Sequence, residues 1–349
     1  MLSVTAAYDA EMAGEKLWGI HCDEYTVDFV HEGFVSVGWD VIGDLRQFAG
    51  DREALKAEVA LKYPNAKPGA IPVWAGLLYR FAVEMKPGDL IVHPRKADKT
   101  VNLATVEGEY YYEASAPTHR HRRPVKWVRT GLLRTTFSQG ALYEIGSALT
   151  LFRVKKHDQE FLNQLGGASP VAPASPDEID ETSVIEDEPD AQRIIETTRD
   201  FIVRTLSTDL KGHPFTHLVA HLLEAMGYRT KVSPEGPDRG IDIIAHKDPL
   251  GLEPPIIKVQ CKSSEGKIGS PDVSGLLGTL GHNELGLFVT LGRFSTDAVN
   301  LGRDRGNLRL IDGEELVDLV LEYYDRFGEE FKRKLPMRQV YVSDRLAEL

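Results

Sequence analysis

Apolar and polar residues alternate along Ile256-Ile257-Lys258-Val259-Gln260-Cys261-Lys262, a run that follows Pro254-Pro255 and runs into Ser263-Ser264. A period of two is the mark of a strand, so Gln260 and Lys262 share one face while Val259 and Cys261 point the other way, into a core. Gly240-Ile241-Asp242-Ile243-Ile244-Ala245-His246 reads as a second short strand rich in β-branched residues. Asp248-Pro249 and Gly251 supply the turn chemistry that folds the two into a hairpin. Around this pair, helical spacing predicts helices over 191–206, 213–226, 271–281, from 295 onward, and over 314–324. Gly227 is a suitable stop for the second of these. Further strands are expected over 229–232, 286–291 and 308–311. The sum is an α/β core with a mixed sheet flanked by helices.

The first half of the chain has a different rhythm. Short strand-like runs occur over 33–39, 89–94, 101–106 and 108–112, with helical spacing over 52–62 and 73–85. Lys86-Pro87-Gly88-Asp89 has the residues of a tight turn. A small, mostly antiparallel α+β barrel or half-barrel fits this order.

A length of 349 residues suits two domains, each with its own core. There is no long apolar span and no signal-peptide pattern, and two cysteines are too few for a disulfide framework. The expectation is a soluble cytoplasmic protein without a membrane partner. The net charge of −12 is unevenly spread. Residues 1–157 carry 20 basic and 19 acidic residues, 158–190 carry 0 and 10, and 191–349 carry 21 and 24. The acidity is therefore largely that of one segment rich in Pro, Ser and Ala, which reads as a flexible, self-repelling linker. An acidic strip competing for a basic groove is the alternative reading. The domains expected are 1–157, a linker over 158–190, a second domain over 191–335 and a tail over 336–349.

Asp242 lies among isoleucines, where a carboxylate is costly to bury without a metal or a lysine. Brought beside Gln260 and Lys262, it makes a divalent-cation site with an amine at hand, which is hydrolytic chemistry on phosphate. Asp242 followed by Gln260-Cys261-Lys262 resembles the PD-(D/E)xK nuclease signature in its QxK variant. The resemblance extends to the Mrr-type restriction endonuclease family over residues 211–320. It is carried by Phe215, Leu218-Val219, Leu222-Leu223, Met226-Gly227-Tyr228, Gly286-Leu287-Phe288-Val289-Thr290, Phe294-Ser295 and Leu310-Ile311-Asp312-Gly313. It implies a restriction-endonuclease-like fold and Mg²⁺, with Mn²⁺ as a substitute, held by Asp242, Gln260 and the backbone carbonyl of Cys261. It also implies that Lys262 faces the attacking water and the scissile phosphate. One position departs: the family's first helix carries Glu after the residue matched by Phe215, and here that residue is Thr216. Glu224, Glu235 and Asp238 are the acids near enough in sequence to substitute.

In the first half, Lys86–Val92, Val106–Tyr111 and Arg122–Trp127 resemble phrases of the PUA/EVE-type fold, which implies a pocket able to hold a flipped nucleotide. The densest basic cluster, Arg120, Arg122, Arg123 and Lys126 with His119, His121 and Arg129, is flanked by Tyr110, Tyr111, Tyr112 and Trp127. Such a patch suits phosphate contact with base stacking, or else a solvated loop beside a core tryptophan. Trp39 is the first choice for a pocket wall, with Tyr25 and Tyr110 behind it, although it shares strand parity with Val35 and Val37. Ser263, Ser264 and Lys267 follow the catalytic strand and suit phosphate contacts. His217 and His221 are spaced like zinc ligands, but no third ligand accompanies them. The function expected is a Mg²⁺-dependent endonuclease on double-stranded DNA, with the first domain reading a modified base or a site, and a homodimer allowed. A non-catalytic DNA-binding protein and an RNA-processing nuclease are the alternatives.

Overall fold

The computed structural model describes residues 16–22, 26–48, 50–67, 69–147, 149–166, 191–234 and 240–341. They fall into two compact units that divide at Thr198. Among the described residues no helix is long and apolar enough to cross a membrane.

The first unit is a seven-stranded sheet with helices against it. Its strands are β1 (Leu17–Ile20), β2 (Phe34–Val37), β3 (Leu90–Arg95), β4 (Thr100–Val106), β5 (Tyr111–Tyr112), β6 (His121–Leu133) and β7 (Leu151–Arg153). They run in the order β2-β6-β4-β3-β1-β7, with β5 also on β6. Every pairing is antiparallel except β1 with β3. The long strand β6 curls through register shifts against β4, the bending that turns a flat sheet into a half-barrel. The helices α1 (Phe29–Glu32), α2 (Arg52–Lys62), α3 (Ala70–Tyr79) and α4 (Gln139–Ile145) cover it. The spacing read from the sequence holds in α2, where Asp51 caps the Ala54 amide and Leu55 and Val59 enter the core.

A fifth helix, α5 (Asp158–Asn163), moves a boundary. The sequence reading starts the linker at 158, yet Phe161 and Leu162 are buried in this unit's core, and Phe161 stacks on Phe137 with centroids 4.9 Å apart. Two apolar side chains worth about 1.5–3 kcal/mol each on burial outweigh the local acidity. The rest of the acidic segment, 167–190, lies outside the described residues.

The second unit holds a five-stranded mixed sheet in the order β14-β12-β10-β9-β8. These strands are β8 (Arg229–Val232), β9 (Ile243–His246), β10 (Ile256–Lys262), β12 (Glu284–Thr290) and β14 (Leu308–Ile311). β8, β9 and β10 pair antiparallel, whereas β10, β12 and β14 run parallel. A two-residue pair, β11 (Lys267–Ile268) with β13 (Arg293–Phe294), stands apart. Helices α6 (Ala191–Thr208), α7 (His213–Ala225), α8 (Ser270–Leu277), α9 (Thr296–Asp304), α10 (Gly313–Tyr323) and α11 (Glu329–Lys334) surround it. α7 and α10 bury Phe215, Leu218, Leu222, Leu316 and Val320 against Val259 and Val289 of the sheet. α8 and α9 close a smaller cluster around Phe288.

Candidate active site and candidate recognition cavity

The hairpin reading places Asp242 beside the end of β10, and the backbone shows how. The Asp242 amide donates to Val259 O at 2.8 Å, and one carboxylate oxygen accepts the Cys261 amide at 2.6 Å. Ser233 reaches back from β8, its amide donating to Asp242 O at 2.8 Å and its hydroxyl to Ile241 O at 2.7 Å. The carboxylate is thus aimed by the strand it sits beside. On the other edge of β10, Lys262 O accepts from the Leu291 amide at 3.2 Å. Strand alternation then turns both the N–H and the C=O of Cys261 toward Asp242.

Gln260 and Lys262 occupy the face opposite Val259. Gly240, with φ at +77°, approaches Gln260 so closely that a Cβ there would stand 3.3 Å from its amide nitrogen. A side chain at 240 would be strained by the left-handed backbone and would crowd Gln260. Lys262 Nζ donates to Asp272 Oδ1 at 2.6 Å, with both side chains partly exposed. Asp272 lies in the first turn of α8, where an acid is favoured by the helix dipole. Sequence reading missed it, because an acid three residues into a helix is commonplace.

Beneath the strand, Cys261 packs against the core, and burial pushes its thiol well above the ordinary range. The negative charge of Asp242 adds to that rise, and a hydrogen bond with Thr216 opposes it. The sulfur remains a protonated, inert thiol. Thr216 is buried on α7 beneath the site, so the helix that was expected to bring Glu brings a hydroxyl to the floor instead. Glu224 does not substitute for it, being taken by the Thr230 hydroxyl at 2.6 Å and His221 at 3.0 Å. Glu235 and Asp238 lie outside the described residues.

Apart from Asp272, which holds Lys262, the candidate oxygen donors at the end of β10 are the Asp242 carboxylate, the Gln260 side-chain amide and the Cys261 carbonyl. Among the described residues no three His, Cys, Asp or Glu gather to hold a metal. A hard cation that keeps several waters and takes its remaining oxygens from phosphate fits this sparse set. A metal held by protein side chains alone does not. His217 and His221 go separate ways, one against the His213 ring and the other against Phe331 and Glu224. Ser263 accepts the Gly212 amide at 3.1 Å, tying the end of β10 to the start of α7. Lys267 is exposed on β11.

The first unit contains a cavity of about 890 Å³, whose lining includes Trp39, Tyr63, His21, Lys96 and His119. Trp39 escapes the strand parity that would have buried it. β2 ends at Val37, and Trp39 takes φ +65°, a left-handed conformation costly for a bulky side chain. Its ring lies 5.9 Å from Trp74, which in turn meets Tyr63 at 5.4 Å. His119 is also left-handed, with φ +55°. Its two ring nitrogens are bound by Thr26 and Ser36 hydroxyls, each at 2.7 Å. The Asp40 carboxylate accepts the His119 and Arg120 amides at 3.1 and 2.7 Å, so it braces the turn that carries them. Tyr25 lies outside the described residues.

Packing removes Arg123 from the basic cluster. Arg123 is wholly buried and donates to Phe81 O, Ala82 O and Gly108 O, satisfying backbone rather than phosphate. Arg122 lies over the Phe34 ring and donates to His119 O, and Arg120 donates to Ala116 O. Lys126 is exposed. Tyr110 is a core residue and not a cavity wall. Its hydroxyl meets the Leu45 amide and His121, and burial raises its phenol pKa.

Residues 207–320 match the model of the Mrr catalytic domain, described as a restriction endonuclease. Over 108 residues the chain is 32% identical to the Type IV methyl-directed restriction enzyme EcoKMrr of Escherichia coli strain K12. The second unit carries an Mrr-type restriction endonuclease domain. The match to EcoKMrr covers 30% of this chain and 35% of that enzyme, so the chain spans about a third of its relative's length. Residues 17–146 match a model described as a domain of unknown function. Two solved structures are similar at low identity. MspJI restriction endonuclease in complex with a 27-mer oligonucleotide is 15% identical, covering 79% of this chain and 71% of that one, with a TM-score of 0.33. The DNA modification-dependent restriction endonuclease AspBHI is 17% identical, covering 76% and 71%, also with a TM-score of 0.33. In the Mrr-type domain, Asp242, Gln260, Cys261 and Lys262 all lie within the matched residues, as does the unpredicted Asp272.

Proposed function

We propose that this protein is a cytoplasmic, Mg²⁺-dependent endonuclease on double-stranded DNA. Its Mrr-type domain hydrolyses the phosphodiester, and its first unit, a PUA/EVE-like reader, selects a modified base or site. The observation that supports this reading is the Asp242 carboxylate held on the Cys261 amide at the end of β10, one residue before Lys262, whose ammonium rests on Asp272.

Asp242, Gln260 and the Cys261 carbonyl are the residues that would hold Mg²⁺. Bound there, the cation would neutralise charge on the phosphate and lower the pKa of a water. The chain's own part is positioning. The Cys261 amide fixes the rotamer of Asp242, and Gly240 leaves room for the Gln260 amide. Lys262 presents a cation to oxygens that gain charge as the bond breaks, the kind of fixed dipole or charge that accounts for much of enzymatic rate. Asp272 sets where that ammonium rests. In the first unit, Trp39 supplies the face on which an extruded base stacks.

The test is nicking of supercoiled plasmid with Mg²⁺, on DNA with and without cytosine modification. Mg²⁺-dependent nicking that favours modified plasmid is expected. The second reading, a non-catalytic DNA-binding protein, is favoured by Thr216 at the floor of the site, and DNA binding without nicking in Mg²⁺ or Mn²⁺ would establish it.

A further inference from the structure

The cavity of the first unit is larger than a methylated base requires. Its volume of about 890 Å³ is near the upper end for sites that enclose drug-sized molecules. Besides Trp39 and Tyr63, the lining includes Thr118, Thr150 and Lys96, together with Thr26 and Ser36, whose hydroxyls are bound to the His119 ring. An aromatic face with a few polar residues beside it matches a ligand that is flat in one part and hydroxylated in another.

His21 adds a demand of its own. It contributes to the cavity lining, yet both of its ring nitrogens are shielded from solvent and have no hydrogen-bond partner. Burial, then the charges of Lys96 and His93, lower its pKa to about 3, so the ring is neutral. The Ser147 backbone lies close enough to oppose that shift but not in hydrogen-bonding geometry. A neutral imidazole offers one donor and one acceptor, and leaving such groups buried and unmet is costly. A methyl group meets neither need. A hydroxyl can meet either, and the broad χ2 torsion of histidine allows a nitrogen to turn toward it.

We propose that this cavity receives a base whose substituent bears hydroxyl groups, either a hydroxymethyl base or its glycoside, in preference to a methylated base. The proposal rests on the reading of the first unit as a base reader. Trp39 stacks on the base, while His21 and the Thr118 hydroxyl bind the substituent.

The test is binding of the full-length protein, in EDTA, to labelled duplexes with one central cytosine. That cytosine is unmodified, 5-methylated, 5-hydroxymethylated or glucosylated through the hydroxymethyl group. Tighter binding of a hydroxyl-bearing base than of methylcytosine, by about tenfold, is expected from one or two added hydrogen bonds. His21→Phe should abolish that difference, and so should Thr118→Val, which is exposed and leaves the core untouched. Methylcytosine bound as tightly as both hydroxylated forms would overturn this proposal and leave the base-reader reading standing. Equal affinity for all four duplexes would overturn the base-reader reading itself. A hydroxyl preference that survives in both variants would overturn the assignment to this cavity.

Discussion

Lys262 and Asp272 meet at 2.6 Å across the gap between β10 and the first turn of α8. An ion pair this exposed contributes about 0–1 kcal/mol to stability, so its significance lies in where it holds the ammonium. Asp272→Asn keeps the shape and removes the charge. The melting temperature should hardly move, while the nicking rate should fall roughly tenfold through misplacement of Lys262. A faster variant would mean that Asp272 restrains Lys262 and must release it.

Asp242 is best tested by a variant that respects its hydrogen bond. Asp242→Ala would strand the Cys261 amide at a cost of about 1–3 kcal/mol, mixing stability with catalysis. Asp242→Asn retains an acceptor. Together with Lys262→Ala, it should reduce Mg²⁺-dependent nicking by a hundredfold or so while circular dichroism stays that of the parent. Parental rates in either variant would remove these residues from the chemistry.

Thr216 offers a direct probe of the metal. Thr216→Glu places a carboxylate beneath Cys261 and Asp242, where a buried charge is destabilising unless a cation answers it. Thermal melts should show the variant less stable than the parent in EDTA and selectively recovered by Mg²⁺ or Mn²⁺. Equal divalent-ion responses in parent and variant would place the cation elsewhere.

Acid should weaken the first unit. His21 titrates near 6.5 when unfolded and about 3 when folded, so between those values the unfolded chain binds a proton that the folded chain refuses. Its contribution is therefore complete above about pH 6.5 and is lost as pH falls toward 3, amounting to a few kcal/mol by order of magnitude. Burial shifts His121 in the same direction. All four tryptophans, at 18, 39, 74 and 127, belong to the first unit, so tryptophan fluorescence reports on it alone. The urea midpoint read by fluorescence should drop between pH 7 and about pH 4, and His21→Phe should flatten that slope.

The hairpin carrying Asp242, Gln260 and Lys262 was legible because strand period and turn residues are local signals. The fate of Arg123 was not. Whether a guanidinium meets phosphate or three backbone carbonyls depends on how β6 lies against residues 81–82 and 108, which no window of sequence contains. Tyr110 failed for the same reason, its hydroxyl meeting the Leu45 amide. α5 did leave a trace in Phe161-Leu162, which the charge count over 158–190 obscured. Trp39 defeated the parity argument because parity ends where the strand does, and nothing local announces a left-handed tryptophan.

That backbone has a bearing on descent. Among the described residues only Trp39, Lys99, His119 and Asn283 take positive φ without being glycine, and two of these four border the cavity. Each such residue costs about 1–3 kcal/mol that glycine would largely avoid. Glycine at 39 or 119 would relieve that backbone cost but give up the Trp74 contact or the Thr26 and Ser36 hydrogen bonds. In a lineage of such domains, a glycine at either position would mark a cavity whose side chains are no longer under selection.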